Sequence, residues 1–140
     1  MSERYRVLFV CPRNDARSLI AEALLRHTDS THFEASSAGL TAGEVNERTL
    51  ETLEHIGVDA SGLRSKSIDE FQGQDFHYVI TLWEISSDGP LLALSSGEAI
   101  TWHFEDPATS KKPEAFRHAL QEIHDRVKMF VTVKTRYTED

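Results

Sequence analysis

Residues 7–25, V-L-F-V-C-P-R-N-D-A-R-S-L-I-A-E-A-L-L, hold the single cysteine of the chain, Cys11, between two patterns of different period. Before Cys11, residues 6–10 form a short apolar run of the kind that becomes a buried strand. After it, apolar residues recur at the spacing of an α-helix: Leu19, Ile20, Ala23 and Leu24. The stretch therefore predicts a strand, a loop that begins at the cysteine, and a helix.

Two more helices are predicted further along the chain. Asn46 is a suitable N-cap and Gly57 a suitable C-terminal stop for a helix whose apolar positions are Leu50, Leu53 and Ile56. The last helix follows Pro113 and has a long apolar stripe: Phe116, Leu120, Ile123, Val127, Phe130 and Val131.

Further strands are predicted at residues 33–37, closed by Gly39, and at residues 78–82 and 99–104. Strands that alternate with helices form a parallel sheet covered by helices. The sequence therefore predicts an α/β fold with three layers, α/β/α, around a central parallel four-stranded sheet. Ligands of such sheets bind beyond the carboxyl ends of the strands, which is where Cys11 and Asp106 are expected to lie.

The composition excludes several classes of protein. A net charge of -8 argues against nucleic acid or an anionic membrane as partner. No apolar run approaches the roughly 20 residues that span a bilayer, and the N-terminus has no signal-peptide pattern. One cysteine makes no internal disulfide, and the seven histidines show no ligand spacing. We expect a cytoplasmic protein of one domain, with no metal and no cofactor.

The loop at residues 11–18, C-P-R-N-D-A-R-S, has the composition of an oxyanion site. A loop that leads from a strand into a helix turns successive N–H groups toward one point, and this favours the thiolate of Cys11. Arg17 matches two oxygens of a tetrahedral anion, and Ser18 can donate to the sulfur. The residues predicted to surround the anion are Pro12, Arg13, Asn14, Asp15, Ala16 and Arg17. By itself, the spacing also fits a buried structural cysteine near an exposed arginine.

The pattern V-L-F-V-C-x-x-N-x-x-R-S, followed by I-A-E-A-L-L, resembles the low-molecular-weight protein tyrosine phosphatases and the arsenate reductases that share their fold. The segments at residues 37–39 (S-A-G), 55–66 (H-I-G-V-D-A-S-G-L-R-S-K) and 102–108 (W-H-F-E-D-P-A) are similar to further family segments in the same order. The resemblance implies a flavodoxin-like phosphatase fold, with residues 1–140 as one domain.

The resemblance also implies roles for individual residues. Cys11 is the nucleophile, Arg17 holds the oxyanion and Ser18 assists the departing thiolate. Asn14 and Ser37 hold the loop in shape.

Asp106 is implied to protonate the leaving oxygen and then to activate water. A covalent mechanism on a phosphate ester does require a proton donor and then a base. An aspartate before proline lies on extended backbone, although Asp-Pro is also common in ordinary turns.

Some residues depart from the family pattern, and these departures favour different functions. Pro12 and Arg13 stand where the phosphatases usually have a small residue and glycine, and Pro12 lacks an N–H donor. Ala16 stands where many relatives have a cysteine, and Trp83 with residues 84–87 replaces the relay cysteines of thioredoxin-coupled reductases. After Asp106, residues 107–110 lack the aromatic side chains of tyrosine phosphatases and are closer to the reductase branch.

Three functions remain open from the sequence. The absence of relay cysteines favours hydrolysis of a phosphorylated protein or small phosphomonoester through a phosphocysteine, and this is the function we expect. The sequence around Asp106 favours an arsenate reductase coupled to an external thiol such as glutathione or mycothiol. The changes at Pro12 and Arg13 leave a non-catalytic oxyanion-binding module as a third possibility.

Overall fold

The computed structural model describes residues 4–83 and 95–136, and these contain the predicted alternation of strands and helices. The elements are β1 (Tyr5–Cys11), α1 (Arg17–Asp29), β2 (Phe33–Gly39), α2 (Glu47–His55), β3 (Asp75–Thr81), β4 (Ser95–Thr101) and α3 (Ala115–Arg136). Two short 3-10 helices, Ile68–Phe71 and Pro107–Thr109, were not predicted. Residues 84–87, named above for their lack of cysteines, lie outside the described residues.

The four strands form one parallel sheet in the order β2-β1-β3-β4. This confirms the predicted α/β fold with a central parallel four-stranded sheet. Strand β1 lies between β2 and β3, and five consecutive residues at its end are buried. A strand buried on both faces reads as a continuous apolar run rather than an alternating one, which explains the pattern at residues 7–10.

The core has two parts, one on each face of the sheet. Val7 and Phe9 point into the larger part, which contains buried side chains from α1, α2 and α3. Leu8 and Val10 point to the other face, because side chains alternate along a strand. Among the described residues, the 3-10 helix Ile68–Phe71 covers that second face together with Leu40 and Trp83.

Several predicted boundaries were wrong: β2 continues to Gly39 instead of ending at residue 37, β3 is Asp75–Thr81 instead of residues 78–82, and β4 begins at Ser95. The fourth strand was expected at residues 99–104 but ends at Thr101, and residues 102–105 separate it from Asp106. Trp102 and Phe104 pack in the core beyond the end of the strand. The centre of the Trp102 ring lies 6.0 Å from the centre of the Phe9 ring. Burial of an apolar side chain therefore does not by itself indicate ladder pairing.

The second helix begins as predicted but ends earlier. Asn46 is its N-cap, and the side chain accepts a hydrogen bond from Arg48 N. The helix ends at His55, so Ile56 lies beyond it and is 42% exposed instead of buried. Gly57 follows with a φ of 79°, a conformation that glycine adopts at low cost.

Gly39, the last residue of β2, allows the backbone after β1 to pass close by. A Cβ atom at Gly39 would lie 2.7 Å from the carbonyl carbon of Arg13 and 2.8 Å from Asn14 N. Both are backbone atoms that cannot rotate away. We expect Gly39→Ala to lower the free energy of unfolding by about 3 kcal/mol, measured by urea denaturation.

Gly62→Ala is the control for this variant. Gly62 has a φ of 83° and nothing within 4 Å of an added Cβ, so only the left-handed backbone is strained, at about 1 kcal/mol. Equal losses in the two variants would show that the close approach at Gly39 does not matter.

Candidate active site

Cys11 lies at the carboxyl end of β1, an inner strand of the sheet, and the loop of residues 12–16 connects it directly to α1. Its side chain is completely buried. Arg17 is the first residue of α1, so the N-terminal end of the helix, with its partial positive charge, adjoins the loop. The position agrees with the rule that ligands of parallel sheets bind at this edge.

The carbonyl groups of the loop face outward, toward the segments that surround it. The hydrogen bonds are Pro12 O with Thr41 N at 3.2 Å, Arg13 O with Gly43 N at 3.1 Å, and Asp15 O with Asn46 N at 3.1 Å. The C=O and N–H of a trans peptide group point in opposite directions. The N–H groups of Arg13, Asn14 and Ala16 therefore point to the inside of the loop, which is the arrangement of an anion site.

Pro12 weakens this arrangement by one donor. The carbonyl of Cys11 faces outward and accepts from Leu40 N at 3.3 Å, so the nitrogen of Pro12 faces inward, where it has no hydrogen to donate. The Arg13 side chain is exposed, and that of Asp15 is half-buried. Of the residues predicted to surround the anion, Asn14, Ala16 and Arg17 are the buried ones.

The two predicted loop-supporting residues are in direct contact. Asn14 has a left-handed φ of 53°, and its Nδ2 donates to Ser37 Oγ at 3.0 Å and to Ser18 Oγ at 2.7 Å. Its Oδ1 accepts from Lys66 N at 2.8 Å. Three of the four hydrogen-bonding positions of the amide are thus used, and they hold Asn14 in an unfavourable backbone conformation.

Ser18 connects this support to the cysteine. Its Oγ lies 2.8 Å from Cys11 Sγ, and both side chains are completely buried. The predicted contact between the hydroxyl and the sulfur is therefore present.

Arg17 is buried and bound to the segments that follow β3 and β4. Its Nη1 donates to Phe104 O at 2.9 Å and to Leu82 O at 3.5 Å. Its Nη2 lies 3.9 Å from Asp106 Oδ2. These acceptors stabilise a guanidinium group that would be costly to bury without partners.

Asp106 is brought to Arg17 although it does not follow a strand directly. Its Oδ1 caps the 3-10 helix Pro107–Thr109 by accepting from Ala108 N at 3.0 Å. The proline at the first helical position suits this role because it needs no hydrogen-bond partner. Asp106 and Arg17 line the same cavity, of about 500 Å³, with Trp83, His103, Phe104, Glu105, Thr109 and Ser110.

Two buried charged residues at the loop were not predicted as functional. Glu22 is 2% exposed and accepts from Ser37 Oγ, while Lys66 Nζ lies 3.7 Å from Glu22 Oε1. Burial lowers the pKa of Lys66, and the negative charge of Glu22 only partly opposes this. Glu22 is two positions from both Ile20 and Leu24 and so lies on the opposite side of the helix from the predicted apolar stripe; because α1 is buried on that side too, the sequence pattern carried no signal for Glu22.

The described part of the chain shows no group of three His, Cys, Asp or Glu side chains arranged to hold a metal ion. Within residues 4–83 and 95–136, no helix has the length and apolar character needed to cross a membrane.

Several known proteins resemble this chain over nearly its whole length. The glutaredoxin arsenate reductase of Synechocystis is 29% identical over 126 residues, which are 90% of this chain and 95% of that protein. The arsenate reductase of Halalkalibacterium halodurans is 31% identical over 129 residues, 89% of this chain and 93% of its own.

The crystal structure of the arsenate reductase of Archaeoglobus fulgidus superposes with a TM-score of 0.74 at 34% identity, covering 90% of this chain and 98% of that one. The family model for the low molecular weight phosphotyrosine protein phosphatases matches residues 6–138. With the loop, the sheet and the relatives in agreement, the chain belongs to the low molecular weight phosphotyrosine protein phosphatase family.

Proposed function

We propose that this protein is an arsenate reductase in which Cys11 is the nucleophile and a thiol from outside the chain is the reductant. The observation that carries the proposal is the 2.8 Å contact between Cys11 Sγ and Ser18 Oγ, beneath a loop whose N–H groups point inward. The similar proteins described above are arsenate reductases. They support this function over the phosphatase activity that the sequence alone favoured.

In the first step, the loop N–H groups and Arg17 hold arsenate over the sulfur. Within the described residues, both hydrogen bonds of the guanidinium come from Nη1, and Nη2 has the 3.9 Å ion pair with Asp106, which is longer than a hydrogen bond; the Nε–Nη2 edge can therefore donate to two oxygens of the anion. The Cys11 thiolate attacks As(V) and forms a sulfur–arsenic bond. One arsenate oxygen takes up protons and leaves as water, and Asp106, next to Arg17, is the proton donor that we assign.

The second step needs electrons that this chain does not hold, since it has one cysteine. An external thiolate attacks Cys11 Sγ and forms a mixed disulfide. The electron pair of the sulfur–arsenic bond stays on arsenic, which leaves as arsenite, As(III). A second thiol then releases Cys11 by thiol–disulfide exchange. Two thiols are therefore oxidised for each arsenate, and glutathione with glutaredoxin or mycothiol are suitable sources.

Hydrolysis of phosphomonoesters is a second candidate. Asp106 and Arg17 line one cavity, and phosphate transfer to Cys11 followed by attack of water needs no second thiol. The substrate would be a phosphorylated protein or a small phosphomonoester.

The Cys11→Ser variant tests the proposed function. We expect the wild-type protein to oxidise NADPH in an arsenate-dependent way when glutathione, glutaredoxin and glutathione reductase are supplied, or with the mycothiol system. Cys11→Ser should show only background oxidation, because a hydroxyl cannot form the sulfur–arsenic bond. Glu34→Gln, a change on the exposed side of β2, serves as control. No arsenate-dependent oxidation with either thiol system would contradict the proposal and leave the phosphatase or a binding module.

Arg17→Lys tests the mode of anion binding. A lysine keeps the charge but not the planar pair of donors, so we expect kcat/KM for arsenate to fall by about tenfold or more. Arg4→Lys is the matched control, since Arg4 pairs with Glu34 at an exposed position. An unchanged kcat/KM in Arg17→Lys would show that the guanidinium does not bind the oxyanion as a fork.

The Asp106→Asn variant removes the proposed proton donor and keeps the shape of the side chain. We expect a fall of about 100-fold in turnover, with arsenate or with p-nitrophenyl phosphate, because general acid catalysis contributes about that much. Ser110→Ala, which changes the same cavity without removing an acid, should stay within about twofold. With the phosphate ester, a trapped phosphocysteine identifies the hydrolase. Full activity in Asp106→Asn would exclude Asp106 as the donor.

A further inference from the structure

Glu22 is a buried carboxylate that the proposed reactions do not use. It lies on α1, one helical turn beyond Ser18, and two cations face it. Arg26 Nη2 is 2.7 Å from Glu22 Oε2, and Lys66 Nζ is 3.7 Å from Oε1. Each carboxylate oxygen of Glu22 thus faces a cation, and a carboxylate can only accept hydrogen bonds.

The carboxylate sets the direction of the hydrogen bond from Ser37. The Ser37 hydroxyl has one hydrogen, and it donates that hydrogen to Glu22 Oε1. The oxygen of Ser37 can therefore only accept from Asn14, and it does so from Nδ2 at 3.0 Å. This places the NH₂ side of the Asn14 amide toward Ser37, while Lys66 N binds the opposite oxygen.

The same amide sets the direction at the cysteine. The second hydrogen of Asn14 Nδ2 goes to Ser18 Oγ at 2.7 Å. Ser18 is then an acceptor toward Asn14, and its own hydrogen is free to point at Cys11 Sγ, 2.8 Å away. The Asn14 amide thus begins two chains of two hydrogen bonds each. One chain passes through Ser37 and ends at the carboxylate of Glu22, and the other passes through Ser18 and ends at the sulfur of Cys11.

We propose that Glu22 is a positioning residue for Cys11, which acts through Ser37 and Asn14 to make Ser18 a hydrogen-bond donor to the thiolate. The role concerns the cysteine itself, so it applies to arsenate reduction and to phosphoester hydrolysis alike. It can be measured without either substrate.

Glu22→Gln keeps the shape of the side chain but reverses the direction of the hydrogen bond between residue 22 and Ser37. A glutamine has one oxygen, and the shorter contact with Arg26 will hold it at the position of Oε2. The NH₂ group then faces Ser37 and donates to it. The hydroxyl hydrogen of Ser37 has to point elsewhere and competes with the hydrogen that Asn14 donates, so the amide of Asn14 is less firmly held.

The test follows the ionisation of Cys11 by the ultraviolet absorbance of its thiolate. The chain has one cysteine, so subtracting the Cys11→Ser spectrum isolates its signal. We expect Glu22→Gln to move the titration of Cys11 to higher pH by about one unit, a tenfold smaller ionised fraction below the midpoint, because a hydrogen bond to the thiolate is weakened. Ser37→Ala should produce a shift of similar size.

The double variant separates this route from a general loss of structure. If Glu22 acts through Ser37, then Glu22→Gln should lower the ionised fraction of Cys11 by less than about twofold when it is made in the Ser37→Ala background. Glu34→Gln, which removes a carboxylate paired with Arg4 and Arg6 on the exposed side of β2, should leave the titration unchanged.

Three outcomes would overturn the proposal. One is that Cys11 in the folded Glu22→Gln variant ionises over the same pH range as in the wild-type protein. Another is that Glu22→Gln shifts the titration of Cys11 equally in the wild-type and the Ser37→Ala backgrounds. The third applies even where Glu22→Gln does not fold, as judged by circular dichroism. Ser37→Ala leaves the ion pairs of Glu22 with Arg26 and Lys66 in place, and a wild-type titration in that variant excludes the route.

Discussion

The side-chain amide of Asn14 is the contact on which the site depends. Its backbone is left-handed, which costs a residue with a side chain about 1 kcal/mol or more. The amide donates two hydrogen bonds and accepts one, and these offset that cost. With Asn14 held, the carbonyl groups of the loop face its neighbours and the N–H groups face inward. The same amide contacts the hydroxyl that touches the sulfur of Cys11. Loop shape and cysteine environment therefore have one common origin.

The surrounding architecture explains why such a loop can be maintained. It connects β1, an inner strand of the sheet, to the first helix, and β2 and the segment around Lys66 pass beside it. Gly39 allows the close approach on one side, and Ser65 Oγ adds a hydrogen bond to Arg13 O at 3.0 Å on the other. The proposed anion site consists mainly of backbone groups, so it would not itself distinguish phosphate from arsenate. That choice depends on what happens to Cys11 after the attack.

The lone cysteine was interpreted as evidence for a phosphatase, while the relatives are arsenate reductases. The two observations are compatible, because the number of cysteines limits where the electrons come from and not which oxyanion binds. A chain with one thiol can reduce arsenate only with help from another molecule. The residues after Asp106 already pointed to the reductase branch, and the relatives agree with that alternative.

The sequence by itself determined the order of strands and helices, the parallel sheet, and the position of Cys11 at its edge, because hydrophobic period and loop composition are local properties. Through the resemblance to a family, it also made Asn14, Arg17, Ser37 and Asp106 candidate site residues. The tertiary structure alone decided what those side chains contact. The carbonyl groups that hold Arg17 come from Leu82 and Phe104, 65 and 87 residues away. The carboxylate of Glu22 meets Ser37 only after α1 packs on β2. Contacts between residues so distant along the chain arise from packing, which no local pattern encodes.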